Sequence, residues 1–130
     1  MATTELPASH ADLLERPLFG HLATVAPDGS PHSSVMWFVW DGEVLRFTHT
    51  STRQKFKNLQ VEPRIALSIH DPEDGYRSLE VRGVVESTVP DDDVASFYKS
   101  LQERYGEDYE IKDAYKRVIL TVRPTTFVVK

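Results

Sequence analysis

Pro31-His-Ser-Ser-Val-Met-Trp-Phe-Val-Trp-Asp-Gly-Glu-Val-Leu-Arg-Phe-Thr48 carries two runs of strand formers on either side of an Asp-Gly pair. β-Branched and aromatic residues suit a pleated, half-buried surface. Asp41-Gly42 between such runs is the strongest short hairpin signal in the chain. The stretch therefore predicts strands over Pro31–Trp40 and Glu43–Thr48, paired antiparallel. Upstream, Leu18–Ala26 reads as another strand, and Pro27-Asp28-Gly29-Ser30 is turn chemistry. Downstream, Arg64–His70 predicts a fourth strand, Asp71–Gly75 a loop, and Tyr76–Val89 a long alternating strand. Gly83 in its middle marks a bulge or bend, common where barrels turn corners. Arg117–Arg123 and Thr126–Lys130 predict the last two strands, split by Pro124.

Helical signals are fewer. Ser9–Arg16 allows one or two turns, stopped by Pro17. Asp91, Asp92 and Asp93 suit a helix N-terminus. Val94, Phe97, Tyr98, Leu101 and Tyr105 follow helical spacing until Gly106, and Glu107–Lys116 allows a further helical piece. Six to seven antiparallel strands with short helices predict a mainly β, small closed or half-open barrel, since closure removes strand edges. The 130 residues form one domain, 1–130, with no repeat or linker.

Composition narrows the function classes. Charged residues make up 27% of the chain and hydrophobic ones 40%, the balance of an ordinary globular protein. Twenty acidic against fifteen basic residues argue against nucleic acid as the main partner. The absence of cysteine excludes disulfides, thiol nucleophiles and cysteine metal sites. No apolar run approaches bilayer length, and the first residues lack the basic-then-apolar pattern of a signal peptide. The expectation is a cytoplasmic protein with no membrane partner.

The hairpin leads into Thr48-His-Thr-Ser-Thr-Arg-Gln-Lys-Phe-Lys-Asn-Leu59, which predicts a short helix with Phe56 and Leu59 on its core face. Pro63 ends it by disfavouring helix at Glu62. Thr50, Ser51 and Thr52 are candidate N-caps. No acidic residue lies between Glu43 and Glu62, while Arg46, Arg53, Lys55 and Lys57 are basic, an inversion in a chain of net charge −5. Two readings stand side by side. Free N–H groups, the helix dipole and nearby cations form a phosphate pocket. Otherwise the run is a solvated helix face, with Lys57 answering the dipole at the far end.

Other chemistries find little purchase. The five histidines, at 10, 21, 32, 49 and 70, sit one per segment, so no metal site is expected. No Gly-x-Gly-x-x-Gly, Gly-x-Ser-x-Gly or Walker loop occurs. Trp37 and Phe38 face opposite ways on their strand. One is read as core. The other walls a flat ring system or fills a dimer interface.

Several motifs together resemble a known family. Gly29-Ser-Pro31, Val35-Met-Trp37-Phe38 and Asp41-Gly42 resemble the second and third strands of the split β-barrel, FMN-binding-like flavin and deazaflavin proteins. Thr52-Arg53-x-Lys55-x-x-Asn58-Leu59 followed by Pro63-Arg64 is similar to their phosphate-binding helix. Asp71-Pro72 with Tyr76-Arg77-x-Leu79-Glu80-Val81-Arg82-Gly83 resembles the next strand pair, and Arg123-Pro124-Thr125 the closing strands. The broad family is called pyridoxamine-phosphate-oxidase-like. Its true oxidases carry a longer C-terminal segment with Arg and Trp. This sequence has no Trp after Trp40 and stops at Lys130, so the vitamin B6 reaction is not expected. Val35-x-Trp37-Phe38 and Glu80-Val81-Arg82-Gly83 look more like the reductases that use the deazaflavin coenzyme F-420.

The resemblance implies a homodimer with two coenzyme sites at its interface and a small-molecule substrate. It implies Arg53 and Lys55 as charged partners of the coenzyme phosphate, with Thr52 as a further donor and Asn58 in the same motif. It places the ring along Ser33, Ser34, Val35, Met36 and Trp37, with Tyr76 and Arg77 arriving from the partner chain. His49, Tyr76 and Ser34 are candidates for a proton-handling role, equally readable as structural, and no catalytic acid or base is assigned. FMN is the alternative cofactor. A non-catalytic flavin- or haem-type binding protein is the other reading. Lys57, Arg64 or Arg46 would meet the carboxylate tail of F-420.

Overall fold

Asp41-Gly42 does turn the chain. Asp41 Oδ1 accepts the N–H groups of Glu43 and Val44 at 2.8 and 2.9 Å, and Gly42 takes φ +101°. The computed structural model that shows this describes residues 2–130. Its strands are β1 (Ala2–Thr3), β2 (Gly20–Val25), β3 (Pro31–Met36), β4 (Val39–Trp40), β5 (Leu45–Thr50), β6 (Arg64–Asp71), β7 (Asp74–Pro90) and β8 (Arg117–Val129). Its helices are α1 (Asp12–Glu15), α2 (Gln54–Val61) and α3 (Ser96–Arg104). The strands form one antiparallel sheet in the order β3-β2-β6-β7-β8-β5-β4, with β1 added to β8. The sheet curls into a half-barrel, the split-barrel architecture. Its concave face holds a core of Leu22, Phe38, Phe47, Leu67, Ile69, Leu79 and Leu120, closed by Leu13 and Leu14 of α1.

Three elements depart from the sequence expectation, each for a visible reason. Pro31–Trp40 is not one strand. The chain leaves β3 at one end of the strand path and re-enters as β4 at the other, crossing at Trp37–Phe38. Side chains of α3 and of Tyr105 just after it take over the backbone groups that a strand neighbour would have satisfied. Tyr105 Oη accepts the Phe38 N–H at 3.1 Å, and Arg104 Nε donates to the Phe38 carbonyl at 3.0 Å. The Glu43–Thr48 strand accordingly pairs with its upstream neighbour only across Val39–Trp40, and otherwise with β8.

The two closing strands are one, because Pro124 falls opposite Gly83 at a register shift, where a missing N–H is tolerated. A Cβ at Gly83 would lie 2.5 Å from the Arg123 carbonyl oxygen, so close backbone approach demands glycine there. Residues 107–116 supply only a 3₁₀ turn over Ala114–Lys116. The acidic start of α3 behaves as expected. Asp91 accepts the N–H groups of Phe97 and Tyr98, and Asp92 those of Val94 and Ser96. Val94, however, is exposed, because the chain reaches the helix only through Ala95 at φ +56°.

Candidate functional site

β5 keeps pairing with β8 as far as Thr50, which delays the helix. α2 begins at Gln54, and its N-cap Arg53 makes no side-chain capping bond. Thr50, Ser51 and Thr52 are therefore not caps. Thr50 is buried in the strand, its hydroxyl 3.4 Å from that of Thr52, and the Ser51 N–H donates to the Lys116 carbonyl. The first-turn N–H groups of α2 carry no side-chain acceptor from the N-cap.

α2 follows β5, next to one end of the strand path, yet its side chains reach β2 and β3 at the other. Asn58 is fully buried, and its Nδ2 donates to Thr24 Oγ1 at 3.2 Å. Its Oδ1 accepts from Gln54 Nε2 at 2.8 Å. Leu59 is buried and Phe56 packs against the core, as their spacing predicts. Lys55 Nζ donates to Ser34 Oγ at 3.1 Å, so its amine bridges α2 to β3 rather than standing free in solvent.

Around that bridge lies a cavity of about 210 Å³ lined by Thr24, His32, Ser33, Ser34, Arg53, Gln54 and Lys55. Four expected residues, Ser33, Ser34, Arg53 and Lys55, thus come together. Thr24, His32 and Gln54 were not expected. Gln54 carried one readable signal, its i, i+4 relation to Asn58. β3 ends the strand path, so among the described residues its outer edge has no strand partner.

The cavity is strongly cationic. Burial holds the Lys55 ammonium below its ordinary pKa, and the charge of Arg53 adds to the effect. His49, 7% exposed, has no partner for Nε2. Burial pushes its pKa down to about 3, helped by Lys55, Arg53 and Arg117. The imidazole is therefore neutral at physiological pH. Among the described residues, no three His, Asp or Glu side chains gather as a metal site.

Residues 6–129 match the family model described as pyridoxamine 5′-phosphate oxidase. The chain belongs to that family. A solved structure described as an F-420 reductase is 53% identical, covers 95% of this chain and 98% of its own, and superposes with a TM-score of 0.91. A conserved hypothetical protein from Mycobacterium tuberculosis is 28% identical, covering 93% of this chain and 82% of its own, with a TM-score of 0.72. A haem storage protein from Vibrio cholerae, 21% identical with a TM-score of 0.70 over 96% of this chain and 95% of its own, shares the fold. Comparison with curated proteins gives no match.

The remaining candidates of this pyridoxamine 5′-phosphate oxidase family member lie outside the cavity. Val35 is exposed on β3, whereas Met36 points into the core. Trp37 is half-buried, stacked on Tyr105 at 5.0 Å between centroids and aligned with Tyr109 at 6.3 Å. Phe38 is the core member of the pair. Thr52 is exposed beside the cavity without lining it. Asn58 lies beneath it with both ends of its amide engaged.

Tyr76, near the start of β7, is 93% exposed. Arg77 is tied within its own chain to Asp12, to Asp71 at 3.0 Å and to the Ser9 carbonyl at 2.6 Å. That network holds its guanidinium above its ordinary pKa, Asp12 being the main cause.

Proposed function

We propose that the protein is an oxidoreductase that binds the deazaflavin coenzyme F-420 and passes a hydride to a small conjugated organic acceptor. The observation that carries this reading is the cationic cavity beside the unpartnered edge of β3. The close relative described as an F-420 reductase supports it.

The donor set fits a phosphate. Arg53 offers a fork of N–H donors, Lys55 a point charge, and Ser34 and Gln54 neutral donors at the same wall. The edge of β3 over Ser33–Met36 presents alternating N–H and C=O groups, which suit the amide-like rim of a flat ring. When bound, the reduced coenzyme supplies the hydride. The chain's own residues grip the phosphate, align the ring along β3 and keep water out. His49, neutral and buried, has a free Nε2 that can donate or accept one hydrogen bond without adding charge. Lys57, Arg64 and Arg46 are the cations proposed for the carboxylate tail. Two chains sharing the sites, with Tyr76 crossing from the partner, complete the proposal. Arg77 would join it only by leaving its network with Asp12 and Asp71.

Titrating the purified protein with F-420 and with FMN tests the reading. Tighter binding of F-420 is expected, followed by hydride transfer to quinone-type acceptors. FMN shares a phosphate and a flat tricycle. A protein that purifies yellow and prefers FMN would replace the deazaflavin coenzyme while keeping the site. Tight binding without turnover on any acceptor would leave a carrier in place of an enzyme.

A further inference from the structure

Lys55 is an unusual lysine for its neighbourhood. It is partly buried, lines an open cavity, and sits 3.1 Å from a hydroxyl with Arg53 on the same wall. Lys57, two residues along α2, is exposed and outside the cavity. A lysine amine reacts with carbonyl electrophiles only when neutral. Burial and the charge of Arg53 lower the Lys55 pKa, which enlarges that neutral fraction. A cavity lined by Arg53 and Lys55 would deliver an anionic electrophile to an amine 3.1 Å from a hydroxyl that can relay its proton.

We propose that Lys55 is a site of covalent acylation by acyl phosphates. The phosphate of the reagent would dock against Arg53 and place the acyl carbon beside Nζ. The amine lone pair attacks the acyl carbon, forming the C–N bond. The C–O bond to phosphate breaks, and inorganic phosphate leaves with the electron pair. The proton lost by nitrogen passes through the Ser34 hydroxyl to the departing phosphate. The product is a neutral amide that removes one of the two cations on the cavity wall. Acylation would thereby switch off coenzyme binding. This rests on the reading of the cavity as a phosphate site.

The probe is acetyl phosphate, with acetylation of the folded protein measured lysine by lysine, by mass spectrometry after digestion. Lys55 is expected to react about tenfold faster than Lys57, the concentrating effect of one charge-assisted phosphate contact. Saturating inorganic phosphate should slow Lys55 and leave Lys57 unchanged. Arg53→Gln, a change at an exposed position, should do the same. Equal rates at the two lysines, or a Lys55 rate indifferent to phosphate, would overturn the proposal. Titration of the same samples with F-420 separates the two readings. Coenzyme binding with equal lysine rates sinks acylation alone. Selective, phosphate-sensitive acylation without coenzyme binding sinks the coenzyme assignment and leaves the modification site standing.

Discussion

At the scale of single residues, Lys55 on the cavity wall and the buried His49 each carry a prediction. Lys55→Met keeps the apolar stem while removing the ammonium. A charged hydrogen bond to phosphate is worth about 1.5–3 kcal/mol, so coenzyme affinity should fall roughly tenfold to a hundredfold. The hydrogen bond to Ser34 goes with the ammonium, at a stability cost of about 1 kcal/mol that urea unfolding can read. Lys112→Met, at an exposed lysine that does not line the cavity, is the control and should leave binding by titration unchanged.

His49 makes a pH prediction. Its folded pKa, about 3, lies below its ordinary value of 6.5. Between those values the unfolded chain binds the extra proton, so stability is full above the upper value and falls as pH drops below it. The contribution is about 1.4 kcal/mol per pH unit on the upper part of that window, above the range where carboxylates titrate. His49→Gln should flatten that slope in pH-dependent unfolding; an unchanged slope would refute the assignment. The basic run made Lys55 and Arg53 stand out in an acidic chain but left a solvated helix face equally open, and only the family resemblance singled them out as phosphate partners. Thr24 and His32 were not, because only the β2–β3 register brings them beneath α2.

At the scale of elements, the long β7–β8 pair and the crossing at Trp37–Phe38 set the shape. Gly83→Ala would press a methyl group against the Arg123 carbonyl oxygen, and the contact is backbone, so it cannot swing aside. A loss of about 1–3 kcal/mol is expected, read from the unfolding midpoint. Arg104 reaches further. Its guanidinium donates to the carbonyls of Leu14, Glu15 and Arg16 at 3.2, 3.1 and 2.9 Å, and to that of Phe38. It therefore closes the C-terminal end of α1 and holds the crossing at once. Arg104→Met should cost about 2–3 kcal/mol and loosen the Trp37–Tyr105 stack, visible in tryptophan fluorescence.

Turns and most strands were legible from local chemistry: Gly29, Gly42 and Gly106 all adopt the positive φ their positions predict. The break at Trp37–Phe38 was not, since its cause is the Tyr105 side chain, 67 positions away. Pro124 misled for a related reason. Whether a proline ends a strand or sits in a bulge depends on the residue opposite it.

At the scale of the whole molecule, the strand order and the meeting of α2 with β3 depend on pairings no local pattern encodes; the resemblance of ordered motifs gave the split-barrel class but not this order. The same likeness carries the claim of a homodimer, and the surface is consistent with one. β3 leaves an open strand edge, and Phe19, Val35 and Tyr76 are large exposed hydrophobic side chains. A stable interface of this kind buries more than roughly 2,000 Å². Sedimentation at micromolar concentration should give twice the 14.8 kDa of the chain, and a monomer would remove the shared-site proposal.

Whether Tyr76 crosses to the partner's cavity is tested by mixing variants. Lys55→Met and Tyr76→Ala should each weaken coenzyme binding as homodimers. In a mixed dimer, crossing places both lesions in one site and leaves the other intact. Random mixing makes half the dimers mixed, each with one of two sites whole, so about a quarter of the sites should bind like the parent. If Tyr76 serves its own chain, every site in the mixed dimer carries one lesion and no capacity returns.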